Sequence, residues 1–201
     1  MLLISQNIGN YALEIPKDAI LRVNLAWCNT LNELKVILAK NKESEFFIDL
    51  PTGRVKLPNN KYSLDDLIPI IESNKQIKYF AISNVENKND LQPFLEKLPD
   101  FINIVPKIES PNAVLNIKEI CDALKTEKKV VMLDHDDLFS SIIRKNEDKN
   151  SFQKYIKKLI DFCEKENISL LRTVGVMFSD DEKRLTPVSY THLTLPTNRE
   201  V

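Results

Sequence analysis

Three separated segments place charged groups in one pattern: Phe46-Phe47-Ile48-Asp49, Val105-Pro106-Lys107-Ile108-Glu109-Ser110, and Val131-Met132-Leu133-Asp134-His135-Asp136-Asp137-Leu138. Each is an apolar, β-prone run that stops on charged residues. In a parallel barrel such residues stand at the carboxyl ends of strands, where barrel enzymes do their chemistry. Two carboxylates and a lysine brought there from neighbouring strands suit a divalent metal beside a fixed cation. That pair in turn suits an enolate or a phosphorylated substrate.

The elements that must position these groups alternate. Strand-like runs cover Leu2–Ile4, Ile20–Leu25, Phe46–Leu50, Lys78–Ser83, Ile102–Ile108, Lys129–Leu133 and Ser169–Val174, with a small extension at Arg54–Leu57. Helical periodicity covers Thr30–Lys40, Ser63–Ser73, Asp90–Leu98, Pro111–Leu124 and Phe152–Glu166. Thr30 with Glu33, and Ser63 before Leu64, Leu67, Ile68 and Ile71, are helix-start signals. Strand–helix alternation with short connections predicts a parallel sheet with right-handed crossovers. Seven strands, and no Gly-rich phosphate loop after the first, favour an α/β class (β/α)8 TIM barrel truncated after about its seventh strand over an open doubly wound sheet.

The chain has 201 residues and a formal net charge of −1, with its 28 Lys and Arg dispersed. This predicts no nucleic-acid partner. No apolar run reaches the length of a membrane span, so no membrane partner is expected. Cys28, Cys121 and Cys163 lie far apart in no metal spacing, and a reduced, cytoplasmic protein is the expectation, with Cys121 and Cys163 as buried small hydrophobes. From Val188 onward the charge and the Lys/Asn/Ile bias vanish. That stretch resembles a translated sequencing-adaptor scar. The expectation is one partial barrel domain over 1–187, with 188–201 a non-native tail and the natural chain cut near Pro187. His192 then has no role, and His135 is the one histidine left.

Taken in order, the motifs resemble the pyruvate kinase barrel. Arg22-Val-Asn24-Leu-Ala-Trp resembles the family's Arg-Leu-Asn-Phe-Ser-His, and Ile48-Asp49-Leu-Pro-Thr-Gly-Arg-Val-Lys56 its Leu-Asp-x-x-Gly-Pro-x-Ile-Arg. Ala81-Ile82-Ser83-Asn84-Val85 with Asp90 resembles Ala-Leu-Ser-Phe-Val followed by Asp. Pro106-Lys107-Ile108-Glu109 with Asn116 and Ile120 resembles Ala-Lys-Ile-Glu-Asn-x-x-Gly-x-x-Asn-x-x-x-Ile. Asp136-Asp137-Leu138 falls where the family has Arg-Gly-Asp-Leu-Gly, and Gln153 to Thr173 resembles its Gln-x-x-Ile…Cys…Ala-Thr-Gln-Met region. The resemblance implies that Glu109 and Asp137 hold Mg²⁺ or Mn²⁺, oxygen-liganded cations that keep open water positions. It implies that Lys107 stabilises enolate or phosphoryl charge and that Arg22 pairs with a phosphate or carboxylate. Asn24 and Asp49 would support a monovalent cation, and Thr173 would lie over the substrate near its protonation site.

The departures bear on the reaction. Ala26 and Leu50 replace two family ligands of K⁺, and Asp136 replaces the glycine whose backbone approaches the substrate carboxylate. Only Lys56–Lys61 connects strand to helix where the family inserts a lid domain over the nucleotide. Lidless relatives, the citrate-lyase β-subunit-like and 2-keto-acid aldolase-like proteins, cleave or form carbon–carbon bonds beside an enolate. The expectation is therefore a metal-dependent lyase or aldolase on a small carboxylate, pyruvate-like or 2-keto acid substrate, homo-oligomeric in its full-length form. The alternatives are a pyruvate kinase or divergent phosphotransferase, and a non-catalytic barrel with a degenerate site. For Glu109 and Asp137 the bland alternative is helix capping.

Overall fold

The structure is a computed structural model that describes residues 3–5, 16, 18–53 and 58–172. Seven strands form one all-parallel, curled sheet in the order of the chain: β1 Leu3–Ser5, β2 Ile20–Asn24, β3 Phe46–Leu50, β4 Ile77–Ile82, β5 Asn103–Ile108, β6 Val130–Leu133 and β7 Ser169–Arg172. The connecting helices are α1 Leu31–Lys40, α2 Leu64–Ser73, α3 Gln92–Lys97, α4 Pro111–Leu115, α5 Ile117–Ala123, α6 His135–Arg144 and α7 Ser151–Lys165. No helix among the described residues is long and apolar enough to cross a membrane.

The expected TIM barrel is corrected here. Among the described residues β1 pairs only with β2 and β7 only with β6, so the sheet is an open half-barrel with two edges. Alternation dictates which strands are neighbours, but closure requires strand number, tilt and register to agree around a full ring. The expected extension at Arg54–Leu57 lies outside the described residues. The expected helix over Pro111–Leu124 is broken at Asn116. The helix at His135–Arg144 is an element that periodicity reading missed.

The sheet sorts its residues by period-two alternation. On the helix-facing side Val23, Phe46, Ile48, Phe80, Ile82, Ile104, Ile108, Val131 and Leu133 join the principal core. On the opposite, concave side Ile20, Phe47, Ala81, Val105, Val130 and Met132 make a second apolar layer. Continuing each concave row by two residues toward the carboxyl end reaches Arg22, Asp49, Ser83, Lys107 and Asp134. All five residues of β3, including Asp49, are buried, because helices cover one face and the apolar layer the other.

The helix starts follow the predicted chemistry. Thr30 accepts from the Glu33 amide while Glu33 accepts from the Asn29 amide, and Ser63 and Asp66 form a reciprocal capping box. Cys121 and Cys163 are buried in the core, and burial pushes both thiols up to about 12. Cys28 is buried as well. Reaction needs an exposed thiolate. Ellman's reagent at pH 8 is therefore expected to modify none of the three thiols in the native chain and all three in denaturant. A rapid native thiol would contradict this packing.

Candidate active site

The polar ends of β3, β4, β5 and β6 converge on Lys107. Its ammonium, 6 % exposed, lies 2.7 Å from Glu109 Oε1, 3.8 Å from Asp134 Oδ2 and 4.0 Å from Asp49 Oδ1. It also donates to Ser83 Oγ at 3.2 Å. Burial works against the charge on Lys107, but Asp49, Glu109 and Asp134 together outweigh it and hold the amine above its ordinary range. The Glu109 carboxyl is raised, because burial outweighs the opposing pull of Lys107 and the hydrogen bond from Asn84.

The loops after β3 and β4 lock to each other behind Glu109. Thr52 donates its hydroxyl to the Ser83 carbonyl at 3.2 Å, and the Asn84 side chain donates back to the Thr52 carbonyl. Asn84 adopts a left-handed φ of 58°, which aims its backbone N–H at Glu109 Oε2, 2.6 Å away. Gly53 makes the approach feasible: its φ is +67°, and a Cβ there would meet the Asn84 side chain at 3.1 Å.

Asp134 ends β6 and caps α6, accepting from the Asp137 amide at 3.2 Å. One carboxylate oxygen from each of Glu109, Asp134 and Asp137 lies within 4.8 Å of the others. This all-oxygen donor set, partly buried and acidic, matches what Mg²⁺ or Mn²⁺ takes. Among the described residues, Lys107 and Arg22 pair with Asp49, Glu109 and Asp134 beside this triad. Thr52, Asn84, Lys107, Glu109, Asp137 and Arg144 are among the walls of a cleft of about 280 Å³ over this group.

The sequence-derived residues fare differently. Lys107, Glu109, Asp49 and Asp137 come together. Arg22 does meet a carboxylate, but it is that of Asp49: Nε donates to Oδ2 at 3.2 Å and Nη2 reaches the same oxygen. Asp49 Oδ1 is buried and accepts no hydrogen bond among the described residues. Asn24 spends its side-chain oxygen on the Ala26 amide, 3.0 Å away. Asp136 is exposed on the first turn of α6 and does not line the cleft. Thr173 lies outside the described residues. His135 begins α6 and meets Arg172 Nη2 at 2.8 Å. Sequence reading assigned no role to Asp134, Ser83 or Arg144. For Asp134 a signal existed: it is the first polar residue after an apolar strand, three before Asp137, with Leu138, Ser141 and Ile142 making the helical face behind it.

No protein-family model matches the sequence, and no curated protein matches it. Among solved structures the chain is similar to RipC from Yersinia pestis, with 12% sequence identity and a TM-score of 0.58 over 89% of this chain and 77% of that one. At that identity the likeness shows the α/β fold alone.

Proposed function

We propose that this chain is a Mg²⁺- or Mn²⁺-dependent enzyme that acts on a pyruvate-like or 2-keto acid through enolate stabilisation, with lyase or aldolase chemistry. The observation that carries the reading is Lys107, a buried ammonium set among Asp49, Glu109 and Asp134 next to an all-oxygen donor triad. Because those acids hold its proton firmly, Lys107 serves as a fixed positive charge and not as an amine nucleophile. Asp49 and Ser83 orient the ammonium, and Asn84 fixes Glu109 by its backbone N–H. Glu109, Asp134 and Asp137 would hold the divalent ion, which when bound supplies Lewis-acid stabilisation of an enolate oxygen. Arg22, turned to Asp49, holds that carboxylate in place instead of meeting the substrate directly.

The reading as a degenerate, non-catalytic site draws on one observation: both Glu109 oxygens are already engaged, by Lys107 and by Asn84. One titration separates the two. Mn²⁺ with oxalate, an enolpyruvate mimic, is titrated calorimetrically into the chain and into Glu109→Gln and Asp137→Asn. The enzyme reading expects oxalate binding that requires Mn²⁺ and weakens more than roughly tenfold in each variant, since even residues behind the ligands cost that much. Absence of binding in the unsubstituted chain selects the degenerate site.

A further inference from the structure

Helix α6 runs beside the site. Asp137, Ser140 and Arg144 all line the cleft above Lys107 and Glu109, while Ser141 and Arg144 line an adjoining cleft of about 320 Å³ with Asn84, Glu86 and Asp90. These positions are spaced i, i+3, i+4 and i+7, one face of a helix, so α6 lies along the opening. Asp137 and Arg144 are about 10 Å apart along the axis, at 1.5 Å per residue. Helical side chains lean toward the N-terminus, so an arginine at this position can reach back along the face that carries Ser140 and Ser141, toward the triad end.

Arg144 is exposed, and among the described residues no hydrogen bond or ion pair occupies its guanidinium. The acids across the opening are engaged elsewhere. Glu86 accepts from Asn112 at 3.0 Å, and Asp90 accepts from the Glu86 and Asn87 amides at 2.8 and 2.9 Å. A five-donor planar cation without a partner among the described residues, at the rim of an acidic cleft, is suited to an incoming oxyanion. With Glu86 and Asp90 nearby, a singly charged carboxylate is favoured over a doubly charged phosphoryl group.

We propose that Arg144 receives a second, distal carboxylate of the substrate, so that this site selects short-chain 2-keto diacids over monoacids. The inference rests on the metal-and-enolate reading above, with the first carboxylate at the triad end and the second met by the Arg144 side chain reaching back from two helical turns along α6. Ser140 and Ser141 lie on the same helix face, beside the path between the two ends.

The test uses the whole chain with Mn²⁺ and two five-carbon ligands that differ only in a terminal group, 2-oxoglutarate and 2-oxopentanoate. Calorimetry on the unsubstituted chain is expected to show 2-oxoglutarate tighter by roughly tenfold, the scale of one charged hydrogen-bonded pair. In Arg144→Gln that ratio falls to near one, and in Arg144→Lys it is intermediate. A ratio near one in the unsubstituted chain, or one that Arg144→Gln leaves unchanged, overturns the assignment. So does phosphonopyruvate binding tighter than 2-oxoglutarate. Failure of the underlying reading looks different: neither keto acid, nor oxalate, then binds with Mn²⁺ at all. Circular dichroism confirms that the variants fold, and a ratio between two ligands is insensitive to a small loss of folded protein.

Discussion

Lys107→Met is expected to destabilise the chain by about 3–5 kcal/mol at pH 7, the range measured when one partner of a buried ion pair is removed. Methionine matches the lysine stem in length, so packing is nearly preserved and the loss isolates the charge. What remains is Asp49 and Glu109, both buried, and Asp134 beside them, without the ammonium that lay within 4.0 Å of all three. The pH dependence should keep its sign but move from the alkaline range to the acidic and neutral range, and grow. In the unsubstituted chain the Lys107 amine is raised on folding, so its contribution is complete below the unfolded value of about 10.4 and is lost only as pH rises through the folded one. In the variant the dominant group is Glu109, which burial already raises above its ordinary range and which no longer has Lys107 to oppose that shift. A carboxyl raised on folding binds more protons folded than unfolded, so stability increases as pH falls toward the unfolded value of about 4.3. Urea unfolding of the variant should therefore give a higher midpoint at pH 5.5 than at pH 7.5. Mn²⁺ should raise the midpoint of Lys107→Met more than that of the unsubstituted chain, because the ion supplies positive charge the variant lacks. A variant as stable as its parent at pH 7.5 would mean that the acids are not ionised around Lys107.

Much of this site was legible because a strand that ends on a charge is a local pattern. Phe46–Asp49 and Val105–Glu109 announce both their strand and their polar end within six residues, and the structure places Asp49, Lys107 and Glu109 where those runs point. Three things were not local. Arg22 and Asp49 are 27 residues apart, and their meeting depends on the β2–β3 register that sets Arg22 against Phe47. The openness of the sheet depends on whether β7 finds a partner beyond β6, which no alternation of apolar and polar residues specifies. Asn84 contributes through its backbone N–H in a left-handed conformation; asparagine favours that conformation, but nothing in its type names Glu109 as the partner. Helix α6 is different, since its signal was present: an Asp cap, acids in the first turn and a basic last turn. It was passed over because helix capping at Asp137 stood only as the alternative to chemistry, and no helix was drawn after it. The same residues serve as both, because a helix start and a cation share the preference for carboxylates.

Asp49→Ala is expected to cost about 2–4 kcal/mol, somewhat below the range for a fully buried pair because Arg22 keeps 23% of its side chain in solvent. Asp49 is completely buried, with Arg22 on one oxygen and Lys107 at 4.0 Å from the other. Its removal leaves Arg22 without its acceptor and withdraws one of the three carboxylates that hold the Lys107 proton. The loss separates into parts by a double-mutant cycle with Arg22→Ala. Arg22→Ala alone should cost less, since Asp49 retains the Lys107 ammonium, and the coupling between the two substitutions should reach about 1–3 kcal/mol. Asp49→Asn provides the shape-matched control: it keeps an acceptor for Arg22 and fills the same space, so the part of the cost that survives in it is electrostatic. Mn²⁺ affinity should hold within a few-fold in Asp49→Asn, because the donor triad of Glu109, Asp134 and Asp137 is intact, whereas oxalate affinity should fall with the positioning of Lys107. Zero coupling between the Asp49 and Arg22 substitutions in urea unfolding would show that the guanidinium is held by solvent and not by this carboxylate. Equal losses of Mn²⁺ and oxalate affinity in Asp49→Asn would place Asp49 among the metal ligands instead of behind the lysine.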